Sequence, residues 1–244
     1  MRYVQALSAA LLLTPAAVPA QSMGRGFFFR EPSTIWSVRA GFGHANAGSD
    51  IFSFTSRQLT VDKGDFSGFT IGTDLDFRVS SRFTLGLGMW YAGSSTPSEY
   101  RDFVGTDDLP IAQTTKFRRL PVTANLKFYL TPRGRSIGHY AWIPAKVVPY
   151  VGVGGGAMWY SFEQNGEFID QSSLDVFTDT FKSSGWTPEG HAAAGVDVSL
   201  TPRLVLTGEG RYTYAKAKMQ QDFVGFDKID LSGFAITAGL AIRF

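Results

Sequence analysis

The chain contains no cysteine, only three histidines in 244 residues, and no excess of charge of one sign. Without cysteine, neither disulfides nor thiolate chemistry can contribute. His44, His139 and His191 are few for a hydrolase, which needs a histidine beside a hydroxyl and an acidic or amide partner. The 23 Lys and Arg, less Arg2 in a removable leader, stand against 21 Asp and Glu. No net field therefore draws nucleic acid, and none is expected as a partner. Beyond the first twenty positions, no stretch approaches the roughly 20 consecutive apolar residues of a membrane-spanning helix.

What is present begins with that leader. Met1-Arg2 gives a positive start, Val4 to Leu13 is largely apolar, and Ala17-Val18-Pro19-Ala20 offers small residues for cleavage. Residues 1–20 read as a secretory signal peptide, residues 21–34 as a periplasmic N-terminal segment, and residues 35–244 as one all-β domain. Twenty-seven glycines and 14% aromatic residues suit tight turns, a crowded interior and interfacial girdles. A mean hydropathy near zero is what strands with one apolar and one polar face average to.

Period-two alternation marks eight strands, near 35–44, 66–79, 83–92, 117–130, 147–162, 190–200, 204–214 and 234–244. In the second, Phe69, Ile71, Thr73, Leu75, Phe77 and Val79 oppose Gly68, Thr70, Gly72, Asp74, Asp76 and Arg78. The last closes the chain on Phe234, Ile236, Ala238, Leu240, Ile242 and Phe244, a face suited to lipid. Pro121 inside the fourth cannot donate to a ladder, which predicts weak pairing there. Connections alternate: Ser80-Ser81-Arg82 and Thr201-Pro202-Arg203 are tight, whereas 44–65, 93–116, 163–187 and 215–232 read as long loops. That asymmetry predicts an eight-stranded antiparallel up-and-down transmembrane β-barrel with its long loops outside the cell. The turn at 131–146 is longer than this scheme requires.

Ionisable residues well inside the strands sort to the face opposite the large apolar ones: Arg39, Asp74, Asp76, Arg78, Arg119, Lys127, Asp197, Glu209, Arg211 and Arg243. Arg118 is the exception and lies near an outer strand end. A basic side chain at the bilayer midplane costs about 2–4 kcal/mol, so the sorting fits a hydrocarbon exterior. A soluble lipocalin-like barrel is the structural rival, with the faces reversed. Against it stand the long loops on one side and aromatics at strand ends, among them Trp36, Phe42, Phe69, Tyr91, Trp159, Tyr212, Tyr214 and Phe234. Eight strands enclose just enough space for side chains, so the lumen charges should pair. The expected pairs are Arg39 with Asp74 or Asp76, and Glu209 with Arg211 and Arg243.

Three segments, Pro149 to Gly156, Glu209 to Tyr214 and Ala238 to Phe244, resemble the small outer-membrane barrels of the OmpA-barrel, OmpX, OmpW and opacity-antigen group. The resemblance implies a Gram-negative-type outer membrane. It implies roles as surface antigen, adhesin, envelope-integrity protein or route for small hydrophobic molecules. Expected partners are outer-membrane lipid and lipopolysaccharide, the barrel-assembly machinery through the strand ending at Phe244, and an extracellular ligand through the loops. A plugged structural or surface-interaction barrel is the first reading, an OmpW-like conduit the second and a lipid-modifying hydrolase the third.

No cofactor, metal or catalytic residue is assigned. His191 reads as a lumen or rim residue without a serine on its face. Glu163, Glu167, Asp170, Asp175 and Asp179 read as a solvated acidic loop whose spacing matches no calcium loop. Phe52, Phe54, Phe103, Phe168, Phe177, Phe181, Phe223 and Phe226 make the loops aromatic, to pack over the barrel mouth or to meet a partner or an apolar solute. The leader predicts a mature N-terminus at Gln21, which intact mass of membrane-extracted protein checks; a mass retaining residues 1–20 contradicts it.

Overall fold

The computed structural model describes residues 27–105, 108–138, 140–170 and 175–244. The expected signal peptide, residues 21–26 of the N-terminal segment, and His139 lie outside the described residues. In chain order the strands are β1 (Thr34–Ala45), β2 (Gly68–Arg78), β3 (Phe83–Val104), β4 (Pro110–Tyr129), β5 (Gly134–Ile137), β6 (Ala141–Pro144), β7 (Val147–Ile169), β8 (Val176–Ser199), β9 (Leu204–Ala217), β10 (Ile229–Asp230) and β11 (Gly233–Arg243). One helix, α1 (Asp50–Gln58), and 3-10 turns at Lys63–Phe66 and Gln221–Phe223 lie in the connections. Strands β5 and β6 pair only with each other, and β10 adds a short rung to β9.

The other eight strands form a closed antiparallel ring, β1-β2-β3-β4-β7-β8-β9-β11 and back to β1. Following paired residues once round, Ile35 leads through Asp76, Gly86, Asn125, Gly154, His191, Thr213 and Gly233 to Ala45. The path returns ten residues further along β1, a shear that inclines eight strands by roughly 40° to the barrel axis.

Alternation decides which side chain faces which way. Trp36, Val38, Phe42, Phe69, Ile71, Leu85, Leu87, Met89, Leu206, Ile236 and Leu240 are exposed on the outer wall. Such a band of bare apolar side chains matches hydrocarbon, not water. The girdle aromatics Trp36, Phe42, Phe69, Tyr91, Tyr212, Tyr214 and Phe234 are exposed on the same outer wall, and Trp186 joins them.

The tight turns are fixed by hydroxyls. Ser80 Oγ accepts from Arg82 N and Phe83 N, and Thr201 Oγ1 accepts from Leu204 N. At Pro121 the β3–β4 ladder skips the rungs of Trp90 and Tyr91, while the β4–β7 ladder runs through without a break. The missing proline N–H accounts for the gap.

Two expected loops are strand instead. Most of 93–116 belongs to β3 and β4, and most of 163–187 to β7 and β8, which pair continuously from Val147↔Val198 to Ile169↔Val176. Beyond the level of Trp159 and Trp186, that hairpin runs ten more residues, about 33 Å along the strand. Polar residues on both faces hide the alternation there. Strands β3, β4, β7 and β8 thus rise as a curved sheet above the other four strands. The connections that hold α1 and the turn at Gln221–Phe223 fold onto its inner face.

The 131–146 turn is the β5–β6 hairpin, at the end of the barrel that carries the tight turns. Phe28 and Trp142 exchange backbone hydrogen bonds of 2.9 and 2.7 Å, and Glu31 meets Arg133 at 2.7 Å and Arg78 at 3.3 Å. The hairpin and the residues before β1 latch to each other beneath the barrel.

Leu87→Arg, at mid-height on the outer wall of β3, should cost about 2–4 kcal/mol in equilibrium folding into lipid vesicles, against about 0–1 for Tyr91→Arg at the girdle. Equal costs at the two depths would rule out a hydrocarbon exterior.

Candidate functional site

The lumen and the outer mouth carry the polar and aromatic groups from which a function can be built. At mid-height Arg39 on β1 pairs with Asp74 on β2 and reaches Glu209 on β9 at 2.6 Å. Arg211 joins Glu209 at 2.9 Å and Asp74 at 3.7 Å. Tyr150 OH donates to Glu209 at 2.8 Å, and Asn125 Nδ2 donates to Asp74 at 2.9 Å. Both guanidiniums stand against the Trp90 ring, with Arg39 at 4.8 Å and Arg211 at 4.7 Å from its centre. A Cβ at Gly72 would overlap that indole, so glycine is what makes room for Trp90.

One level toward the tight-turn end, Lys127 Nζ donates to Asp76 at 2.6 Å. Three cations and three carboxylates therefore balance inside the ring, nearly all of them removed from solvent. Removing one partner from such a set strands a charge, which is why their arrangement is tightly determined.

Four expected members sit elsewhere. Arg78 is at the tight-turn rim, a third exposed, beside Glu31. Arg243 donates to Ser199 Oγ at 2.9 Å and does not meet Glu209. Glu209 lies opposite Thr237, six residues up β11, or about 20 Å, and this distance separates the expected pair. Asp197 accepts from Tyr129 OH at 3.4 Å. Arg119 donates to Leu231 O at 3.0 Å, which ties the wall to the connection before β11. Trp90, Asn125 and Tyr150 complete the cluster and were not singled out in the sequence. Their signal was parity: Trp90 shares a face with Gly86 and Gly88, and Tyr150 with Gly152, Gly154 and Gly156.

Above the charges the lumen turns apolar. Phe52 and Ile51 of α1, with Leu59, Val61, Phe66, Phe223, Ile229 and Leu231 from the connections, pack on Phe117, Met158, Tyr160 and Phe162 of β4 and β7. The Phe52 ring lies 4.7 Å from Phe66, 5.3 Å from Phe117 and 5.8 Å from Phe162. Each such ring contributes about 1.5–3 kcal/mol by leaving water. The core closes the outer mouth, which is where the expectation of aromatics packed over the barrel finds its residues. Between core and charges remains a cavity of about 60 Å³, lined in part by Thr70, Trp90, Arg119, Met158, Glu189 and Arg211.

At the long-loop end an aromatic cleft of about 250 Å³ opens between the raised sheet and the folded connections. Tyr100, Gln113, Gln164, Phe168 and Phe181 form one wall, and Phe54, Gln58, Phe223 and Phe226 the other. Burial pushes the Tyr100 phenol above its ordinary pKa, so it stays neutral.

The halves of a hydrolytic triad do not meet. His191 Nδ1 lies 3.1 Å from Glu189, and among the described residues no hydroxyl hydrogen-bonds to that ring. His44 Nδ1 lies 3.1 Å from Ser67 Oγ, and among the described residues no carboxylate bonds to that ring. Of the acidic segment, Glu163 and Glu167 lie on β7 and Asp179 on β8: Glu163 meets Lys116 at 3.3 Å and Lys182 at 3.9 Å, and Glu167 accepts from Ala112 N. Among the described residues no cluster of three metal-ligating side chains occurs.

No family model matches the chain, and no curated protein matches its sequence. Among solved structures, it is similar to Neisserial surface protein A, with 14% identity over 86% of this chain and 96% of the other, at a TM-score of 0.46. It is also similar to outer membrane protein OprG from Pseudomonas aeruginosa (15% identity, 89% and 99% covered, TM-score 0.43). A third is a major outer membrane protein from Thermus thermophilus (12% identity, 87% and 100% covered, TM-score 0.46).

Arg39→Leu leaves Asp74 and Glu209 short of their shared cation and should cost about 3–5 kcal/mol in denaturant unfolding of the refolded barrel. Lys116→Ala, at a partly exposed pair, should cost no more than about 1 kcal/mol. An Arg39→Leu barrel as stable as the parent would show that the network does not hold the lumen.

Proposed function

We propose that this protein is an integral barrel of a Gram-negative-type outer membrane, closed to solutes and acting through its extracellular end as a structural or surface-interaction protein. The observation that carries this reading is the doubly filled lumen. A neutral layer built on Arg39, Asp74, Glu209 and Arg211 crosses it at mid-height, and an aromatic core centred on Phe52 fills it above. The cavity between them is about 60 Å³, enough for a water or two and not for a permeating solute.

The large apolar outer wall supports lipid and the acyl chains of lipopolysaccharide as its surroundings. Strand β11, which closes the ring against β1, is the segment proposed to engage the barrel-assembly machinery. The separated His–Glu and His–Ser pairs support a role without catalysis.

Refolded protein in planar bilayers should show no single-channel conductance while keeping its β-structure by circular dichroism. Steady openings, or openings blocked by small apolar solutes, would overturn the closed barrel and favour a conduit.

A further inference from the structure

The extracellular cleft has a chemistry of its own, distinct from the layers that close the lumen. Its wall on the raised sheet carries Phe168 and Phe181, with ring centres 4.5 Å apart at 81°. Across from them Phe54 and Phe226 stand 5.4 Å apart at 67°. Leu59 and Phe223 of the apolar core form the floor, so the cleft ends blindly and leads nowhere through the barrel.

Among the polar side chains that line this aromatic space, which include Thr55, Gln58, Tyr100 and Gln164, two present acceptor oxygens suited to a cation, Gln113 and Asp222. Gln113 is 96% buried; its Nε2 donates to Glu167 O at 3.0 Å, and its Oε1 accepts no hydrogen bond. On the same inner face, the buried hydroxyls of Ser98 and Thr115 are also without a hydrogen-bond partner. An orphaned buried carbonyl is destabilising, and a bound donor would recover that cost. The second acceptor is Asp222, whose Oδ2 takes the Lys182 backbone N–H at 2.8 Å at the exposed lip. Among the described residues lining the cleft there is no Lys, Arg or His. Two cations beside the lining residues are engaged elsewhere: Arg101 donates to Ser56 O, and the Lys182 ammonium faces Glu163.

Aromatic faces, a carboxylate and an unfilled carbonyl, with no positive charge among them, attract a cation that can donate hydrogen bonds. A volume just below the usual range of about 300–1,000 Å³ for ligand pockets fits one ring or short chain bearing the charged group. We propose that this cleft binds a small organic ammonium ion, its charge between the phenylalanine rings and Asp222 and an N–H directed to Gln113 Oε1. The inference rests on the reading of the protein as a surface-interaction barrel and names a ligand class for that role.

The test is isothermal titration of the full refolded barrel in lipid nanodiscs with 2-phenylethylammonium, against 3-phenylpropionate of similar shape and opposite charge. The ammonium should bind saturably and at least about tenfold more tightly than the carboxylate. Phe181→Ala and Gln113→Leu should each weaken it about tenfold, and Asp222→Asn should remove most of the preference for the ammonium. Empty nanodiscs correct for partition into lipid, and heat-modifiable migration on gels shows that each variant is folded. Absence of saturable binding, equal binding of the two charges, or affinity unchanged in folded Phe181→Ala would overturn the proposal. Conductance is measured separately, so a barrel that conducts yet binds the ammonium refutes the closed lumen alone, and a silent barrel that binds nothing refutes the ligand alone.

Discussion

Hydrocarbon offers no hydrogen bonds, and a strand in contact with it must find partners for its whole backbone on neighbouring strands. The pairing of β11 with β1, from Ile35↔Arg243 to Ala45↔Gly233, meets that demand by removing the last open edges. The interior follows from closure. Eight strands with a shear of ten leave a lumen only as wide as its side chains, so whatever points inward must pack or pair. Arg39 can stand there because Asp74 and Glu209 reach it from β2 and β9, the strands that flank β1 and β11.

The lumen is divided by chemistry along its axis. Charges are compensated at mid-height and toward the tight-turn end, where Lys127 meets Asp76. Aromatic packing takes over where β3, β4, β7 and β8 rise beyond the others. A four-stranded sheet above the girdle has a concave inner face whose Phe117, Phe162 and Tyr160 need cover, and α1 with the connection before β11 provides it. Arg119 joins the two regimes, with its guanidinium over the Phe117 ring and its hydrogen bond to Leu231 O. Closing the mouth and building the aromatic cleft are thus one event of packing, since Leu59 and Phe223 serve both.

Much of this was legible in the residues. The sorting of ten ionisable side chains to one face identified the lumen side, because period two leaves no freedom once the apolar face is known. Pro121 announced the gap in the β3–β4 ladder through the chemistry of its missing N–H. Pairing partners were legible only in part. Arg39 with Asp74, and Glu209 with Arg211, lie on adjacent strands or on the same strand, whereas Arg243 was expected beside Glu209 and is separated from it by height along the barrel, which strand order does not encode.

By itself the sequence determined the number of strands in the ring, the faces and the two chemistries of the wall, since these depend on alternation within each strand and on turn residues between them. Register, and with it shear and the vertical level of every side chain, was decided only by the tertiary structure, because pairing is settled by contacts across the ring. The same holds for the raised sheet and its cleft. Phe54 and Phe226 are far apart in the chain, and Gln113, Phe168 and Phe181 carry no local pattern that joins them. Only the folding of two connections onto the inner face of four extended strands brings these rings to one place.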